Sequence, residues 1–475
     1  MRTIRWLSLI LGAVVLTRLP FLWMGYGADA DSWLAANAAA SLLHTGTYFP
    51  SRLPGFPLHE IISSPFVVLG GAVASNGATL LVTIAAVIVW FCFVERISRS
   101  PKILVLCLAF APVVWQHSAE TIDYVWSLLF ILLSLLTAEK KHLALSGICV
   151  GIAAGFRSSN IVAIVPLITF LYLNRHDKKD LFMFTLSALA TASIAFLPLI
   201  LKYGAMGWIE ATQLEMSDIH PRSLSERLIA FGYRSIYSIG LVTAVLATVI
   251  LWSKRKELVL AIRSHQPLIV TSVIGIATFL LLFLWLPLER AYLLPALPML
   301  LLLLDRFATK SQIVVFTCCL IASGIVNIDV IKSENRRAAG LNVHWGMVIE
   351  EWQLRKKLLD EREQISSLSF SHKAIVMTAG GPTFWLDNDR VEPSPLEPFI
   401  LNKDSSGRLP FNPHHRLMQK KDNHDILFVM YLLQDELGRA RLAGYTVYCP
   451  RSARKYIEPR LDYSLERAGI RLIEP

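Results

Sequence analysis

The 475-residue sequence predicts a mainly α-helical protein: a polytopic transmembrane bundle of about eleven spans, followed by a small C-terminal extracytoplasmic α/β domain. Three observations carry that prediction. Hydrophobic residues make up 54% of the chain and charged residues 17%, with a mean hydropathy of +0.49, outside the range of ordinary water-soluble domains. Apolar runs near the roughly 20 residues needed to cross a bilayer recur as far as about residue 331. Beyond that point the charge density more than doubles: residues 332–475 hold 22 Lys+Arg and 19 Asp+Glu in 144 positions, against 24 and 17 in the first 331. The chain therefore divides into a membrane part, 1–331, and a soluble part, 332–475.

The eleven runs read at about 6–24, 77–94, 102–116, 121–138, 142–157, 159–173, 181–201, 235–252, 267–286, 291–304 and 311–331. The first contains Arg18 and Pro20 and no clean cleavage site follows it, so it reads as a retained helix rather than a signal peptide. Alternate loops carry Arg2 and Arg5; Arg96, Arg99 and Lys102; Lys140 and Lys141; Arg175, Lys178 and Lys179; Lys254 to Lys256 and Arg263; and Arg306 and Lys310. The positive-inside rule places these loops in the cytoplasm of a multi-pass plasma (inner) membrane protein. The other loops and the tail then lie outside. No basic stripe interleaves with exposed aromatics, which excludes nucleic acid as a partner. Five cysteines sit in apolar segments and Cys449 is alone in the tail, giving neither a disulfide framework nor a metal spacing.

The first outer loop is long and opens with GYGADADSW, placing Asp29 and Asp31 at the exit of the first helix. SWLAANAAASLLHTG follows, Ala-rich with an apolar period near 3.6, and predicts an amphipathic helix lying on the membrane interface. YFPSRLPGFPLHE then supplies Pro50, Pro54, Gly55 and Pro57 in a non-helical loop bearing Arg52, His59 and Glu60. The two aspartates have a plain reading, Asp29 as a helix cap and Asp31 as its dipole partner. Other turns on this face carry His117, Glu120 and Asp123, Arg157 in GFRSSN, and Glu289 with Arg290. Each alone reads as a solvated turn or a snorkelling side chain. Their gathering at one face is what a phosphate-bearing lipid substrate requires: cations for the phosphate and a carboxylate for a proton.

These segments resemble the GT-C superfamily of integral-membrane glycosyltransferases, in plan close to protein mannosyltransferases and lipid A aminoarabinose transferases. The family pattern is an acidic residue after helix one, an amphipathic helix, a Gly-containing turn and a Pro-rich basic segment. Asp31 lies fifteen residues before Gly46, a spacing similar to that of the family's catalytic Asp and turn glycine. ERAYLLPALP (Glu289–Pro298) is similar to an Arg-Tyr-Leu-Leu-Pro element of a late helix, and GIAAGFRSSN to an Arg-bearing short-helix turn. Two departures stand out. DADS replaces an Asp-Glu pair and leaves Asp29 beside Asp31 as a candidate, and SRLPGFP replaces a Lys-Pro-Pro segment, leaving Arg52 to do the lysine's work.

The resemblance implies a GT-C-like catalytic membrane domain. It would transfer a sugar from a polyprenyl-phosphate donor to a lipid, glycan or protein hydroxyl outside the cytoplasm, with inversion. Asp31 would be the general base, with Arg52, Arg157 and Arg290 on the leaving phosphate and His59, Glu60, Glu120 and Glu289 lining the substrate site. The family sometimes uses a divalent ion. Asp29, Asp31, His59, Glu60 and Glu120 offer suitable donors, but no spacing specifies a metal site. A transporter or lipid flippase is the alternative, and a non-catalytic scaffold a second; the first would place its charges near mid-membrane and show repeats.

In the tail, Asn342–Gln364 reads as a helix leaving the membrane, with pairs such as Glu351 and Arg355. Residues 374–378, 426–433, 445–449 and 470–474 read as strands, and 450–468 as a helix. GGPTFW lacks the Lys and Ser/Thr of a phosphate loop, and His414, His415 and His424 read as solvated.

Overall fold

The structure, a computed structural model, describes residues 2–46, 48–219, 223–332, 339–366, 369–378, 391–393, 418–420, 422–429, 431–432, 434–458, 461 and 463–474. GGPTFW and His414–Arg416 lie outside the described residues. The protein is mainly helical with a small C-terminal sheet, and its contacts divide it into two compact units. The first comprises Met1–Leu22, Phe56–His59 and Asn76–Trp352; the second comprises Trp23–Gly55, Glu60–Ser75 and Gln353–Pro475. The boundary in the chain is thus at Trp352, and the first long loop belongs with the tail.

The helices begin with α1 (Arg2–Arg18), α2 (Ala30–Thr45), α3 (Pro57–Ile97), α4 (Pro101–Phe110) and α5 (Pro112–Gln116). They continue with α6 (Tyr124–Glu139), α7 (Leu143–Phe156), α8 (Ile164–Leu173), α9 (Lys178–Ala195), α10 (Leu197–Tyr203), α11 (Ala205–Ile219) and α12 (Leu224–Tyr237). Next come α13 (Leu241–Ser253), α14 (Arg255–Arg263), α15 (Pro267–Trp285), α16 (Ala296–Phe307) and α17 (Lys310–Ser323). Each of the eleven apolar runs is helical over most of its length. By length and composition Ile4–Trp23, Pro57–Ile97 and Pro267–Trp285 can cross a membrane, and three further crossings follow if the bent pairs α4–α5, α9–α10 and α12–α13 each count as one.

Helix α3 is not one straight crossing. Forty-one residues at about 1.5 Å each would span ~61 Å, twice the hydrocarbon core. The helix breaks at Gly70 and Gly71, where Gly71 takes φ 57°, a value that a side chain would resist.

Helix α7 carries glycines at four-residue intervals, Gly147, Gly151 and Gly155, on the face that meets α9. A Cβ on Gly151 would stand 2.6 Å from the Ala188 carbonyl and 2.5 Å from the Thr191 Cβ, so the two backbones approach closely only because the side chain is missing. Gly151→Val is expected to destabilise the fold by about 1–3 kcal/mol, the range for overpacking. Thermal melting in detergent checks this, and an unchanged melting temperature would contradict the close packing.

Two expectations need correction at the end of the first unit. The last apolar run is helical only to Ser323; Val326–Lys332 forms strand β1, antiparallel to β2 (Ala339–Trp345). Both alternate apolar with polar residues, Val326-Asn327-Ile328-Asp329 against Asn342-Val343-His344-Trp345, the period of a strand and not a helix. The helix expected from Asn342 accordingly begins at Met347 as α18 (Met347–Ser366). The segment 202–234, between the expected spans 181–201 and 235–252, is largely helical as α11 and α12 where it is described.

The second unit holds β3 (Ala374–Met377), β4 (Val391–Pro393), β5 (Met418–Lys420), β6 (Ile426–Val429), α19 (Gln434–Leu442), β7 (Thr446–Pro450), α20 (Arg451–Ile457) and β8 (Arg471–Ile473). The sheet order is β4-β5-β6-β3-β7-β8, with β6, β3, β7 and β8 parallel and the β4–β5 and β5–β6 pairs antiparallel. Alternate residues face opposite ways. Ile375, Met377, Leu427, Val429, Val447 and Cys449 pack with Leu437 and Ala440 of α19 and Ala453 and Ile457 of α20. Ala374, Val376, Ile426, Phe428 and Tyr448 share a core with Trp33, Ala36, Ala39 and Ala40 of α2 and Val67 of α3. Covering on both faces explains why these strands are continuously apolar rather than alternating. Helix α2, expected on the membrane interface, is instead the second cover of this sheet, and its small side chains allow close approach. Burial in the sheet pushes the Cys449 thiol up to about 11, so it stays protonated at neutral pH.

Candidate functional site

In the second unit the site is built around the start of α2. Asp29 is the N-cap: its extended backbone (φ −79°, ψ 136°) lets Oδ1 accept from the Asp31 N–H at 3.0 Å. Gly46 ends the helix in the left-handed region at φ 65°, its N–H bonding the Leu42 carbonyl. Asp31, in the first turn, is paired with Arg52, Nε to Oδ2 at 2.9 Å. The Asp31 side chain keeps 27% exposure and that of Arg52 12%, so the carboxylate is reachable while its partner is largely enclosed.

Glu60 explains how Arg52 reaches that position. It is fully buried in the first turn of α3, where one carboxylate oxygen accepts the Ser51 N–H at 2.7 Å and the other the Tyr48 hydroxyl. It thereby folds the Pro-rich segment back on the helix and presents the next residue, Arg52, to Asp31. Glu60 is thus bound to the protein itself rather than open to substrate.

In the first unit a second charged cluster joins the antiparallel ends of α6 and α7. Arg157, extended at the end of α7, donates from Nη1 to Asp123 Oδ2 at 2.9 Å, just before α6. Both are buried. The guanidinium lies over the rings of Tyr292 at 4.2 Å and Tyr124 at 4.4 Å, with Phe56 at 5.6 Å. His117 Nδ1 and Glu120 Oε2 lie 2.7 Å apart in a buried turn, the imidazole 4.7 Å from the Tyr124 ring. His59 is buried, edge-on to Trp126 at 5.9 Å. Glu289 and Arg290 stand half-buried at the short 3-10 helix Arg290–Leu293. Of the three predicted phosphate-binding arginines, Arg290 alone forms no ion pair or hydrogen bond among the described residues. Among the described residues no three His, Cys, Asp or Glu side chains are placed to hold a metal ion.

Sequence reasoning missed several residues. Tyr124 and Tyr292 carry the Arg157 guanidinium on their rings, and the pairing of Arg157 with Asp123 spans 34 residues, a separation that leaves no helical or strand periodicity to read. Arg18 is fully buried, donating to Ser118 Oγ at 3.2 Å and to the Ala109 carbonyl, between the rings of Phe110 and Trp115. Its signal was visible as a cation well inside an apolar run, away from either end. Arg234 donates to the carbonyls of Pro287 and Leu288, just before Arg290.

No protein-family model matches the sequence, and no curated protein sequence matches it. Among solved structures, one of ArnT from Cupriavidus metallidurans in the apo state matches with a TM-score of 0.47. The chain is similar to ArnT. The identity is 12%, over 68% of this chain and 63% of that one. A second ArnT structure, bound to undecaprenyl phosphate, matches with a TM-score of 0.44 and 12% identity, over 77% of this chain and 66% of that one. The chain thus spans just under two thirds of the length of the ArnT chains it matches.

Proposed function

We propose that the protein is a membrane glycosyltransferase that moves a sugar from a polyprenyl-phosphate donor to an acceptor hydroxyl, with inversion and with Asp31 as general base. The observation that carries the reading is the Asp31–Arg52 pair: a reachable carboxylate held against an enclosed guanidinium directly after the first apolar helix. A phosphate is a strong bidentate partner for arginine. Donor phosphate drawing Arg52 away leaves Asp31 an unpaired carboxylate, able to take a proton. The acceptor oxygen then attacks the anomeric carbon, its proton passes to Asp31, and the bond from that carbon to the phosphate oxygen breaks, leaving polyprenyl phosphate. Arg52 stabilises charge that grows as that bond breaks. In the first unit Arg290 is the cation open to a phosphate, while Arg157 is held by Asp123.

We place the lysine- and arginine-rich loops in the cytoplasm of the inner membrane and the sheet-bearing tail outside. The donor is bound by the membrane part, residues 1–331, and residues 332–475 are extracytoplasmic. The acceptor is a hydroxyl of a lipid, glycan or protein. The test is release of polyprenyl phosphate from a panel of polyprenyl-phosphate sugars by protein in vesicles of known orientation. Release is expected only when acceptor is supplied on the side of the tail; none from any donor by folded protein would overturn the reading. Arg52→Ala is expected to lower kcat by about 10²–10³, the usual cost of one transition-state donor. Arg52→Lys should fall between, because a point charge replaces a planar fork; Arg52→Ala with unchanged kcat would remove Arg52 from the chemistry.

A further inference from the structure

Three residues of the described chain other than glycine lie at positive φ: Lys141 (62°), Arg175 (61°) and His265 (57°). All are basic. Each occupies the same position, the residue after a helix end, where the chain reverses through a paired set of backbone bonds and where glycine is the ordinary choice. Lys141 N–H bonds the Ala138 carbonyl at 3.0 Å and His142 N–H the Thr137 carbonyl at 2.8 Å, after α6. Arg175 and His176 do the same to Tyr172 and Leu171 after α8, and His265 and Gln266 to Ile262 and Ala261 after α14. The helix dipole favours a cation at such an end by about 0.3–1 kcal/mol, less than the roughly 1–3 kcal/mol cost of the left-handed conformation, so the remaining strain points to a further use for the charge.

Two of the three turns meet the start of α15, which follows the third, at one place. A half-enclosed cavity of about 410 Å³ is lined by Glu139 and Lys141 from the first, Asn174 and His176 from the second, and Pro267 and Leu268 just after the third, over apolar walls from α3, α6 and α8. It lies at the opposite end of α6 and α7 from the Asp123–Arg157 cluster. Residues 139–142 and 174–180 together with Arg96 carry six Lys or Arg and three Asp or Glu. The carboxylates nearest the cavity are engaged: Glu139 with Arg96 at 2.7 Å and Asp180 with His176 at 3.0 Å. Lys141 and Arg175 are exposed and form no ion pair among the described residues.

We propose that this cavity binds an anionic phospholipid, its headgroup at the rim on Lys141, which lines the cavity, and on exposed Arg175, which stands between the lining residues Asn174 and His176, and its chains along the apolar walls. A soluble phosphate compound would meet the cations and leave the walls without a partner; a zwitterionic lipid would leave the cations uncompensated. The proposal is independent of the transferase reading.

Native mass spectrometry of the intact protein in neutral detergent, titrated with phosphatidylglycerol or with phosphatidylcholine of the same chains, tests it. The wild type is expected to retain phosphatidylglycerol preferentially. Each cation near an anionic headgroup is worth about fivefold in affinity, so Lys141→Gly with Arg175→Gly should weaken that binding by about 25-fold. The same double substitution should leave the melting temperature in lipid-free detergent unchanged or raised, because glycine suits a positive φ. Asn174→Trp, at an exposed lining position, should expel the lipid while keeping every charge. Equal binding of the two lipids by the wild type would overturn the proposal. So would an intact preference in either variant, or displacement of the lipid by inorganic phosphate.

Discussion

Asp31→Asn is expected to lower the rate of polyprenyl-phosphate release by about 10²–10⁴, the usual cost of removing a general base. In free energy that is about 2.7–5.4 kcal/mol of barrier. The structural cost is smaller. The Asp31–Arg52 pair is partly exposed, where ion pairs contribute about 0–1 kcal/mol, and a first-turn carboxylate gains about 0.3–1 kcal/mol from the helix dipole. The variant should therefore melt close to the wild type while losing almost all turnover. Asp29→Asn supplies the control that separates the two aspartates. Asparagine caps a helix about as well as aspartate, so this variant should keep both stability and activity. Wild-type release by Asp31→Asn would remove Asp31 as the base, and loss of activity in Asp29→Asn alone would transfer the role to Asp29.

Deleting residues 353–475 is expected to abolish release as completely as losing the base, whichever acceptor is supplied. The reason is packing and not acceptor recognition. Helix α2, which carries Asp31, shares one core with the sheet through Trp33, Ala36, Ala39 and Ala40. Without the sheet that face meets water, and Asp31 loses the rigid helix that sets it against Arg52. Trp33→Ala tests the same dependence inside the full chain. Trp33 is almost fully buried, edge-on to Tyr26 at 5.2 Å, and donates to the Gly27 carbonyl at 2.8 Å. Its loss should destabilise the second unit by about 3–5 kcal/mol. Maleimide labelling of Cys449, whose buried thiol is pushed up to about 11, reports the opening of the sheet directly. A tail-deleted protein that still releases polyprenyl phosphate at the wild-type rate would show that α2 stands without the sheet.

Much of this architecture was legible along the chain because it depends on neighbours in sequence. Apolar runs of helical length, the turn glycine Gly46 after an Ala-rich helix, and the short continuous apolar runs 374–378 and 426–433 are local signals, and the structure has a strand in each of the last two, Ala374–Met377 and Ile426–Val429. Where local signals competed, the shorter period was overlooked. Val326–Lys332 alternates like a strand but followed an apolar helix directly, so it was absorbed into the last run. The α2 helix shows a different limit. Its apolar face was plain from spacing, but an apolar face is satisfied equally by lipid or by a sheet, and the covering strands lie more than 300 residues away.

The candidate site divides in the same way. The sequence by itself determined which chemistry was present: aspartates after the first helix, arginines in Arg52, Arg157 and Arg290, and a membrane-embedded chain to hold them. Only the tertiary structure decided how those groups are used. It made Glu60 a clamp on the Tyr48–Ser51 segment, Asp123 the partner of Arg157, and Arg52 the partner of Asp31, while the Asp29 cap, a bond to the N–H two residues on, was already local to the chain. The physical reason is that a residue's type and local periodicity are properties of the chain. An ion pair or a covered face depends instead on which distant segments come within a few ångströms, and that is set by the packing of the whole fold.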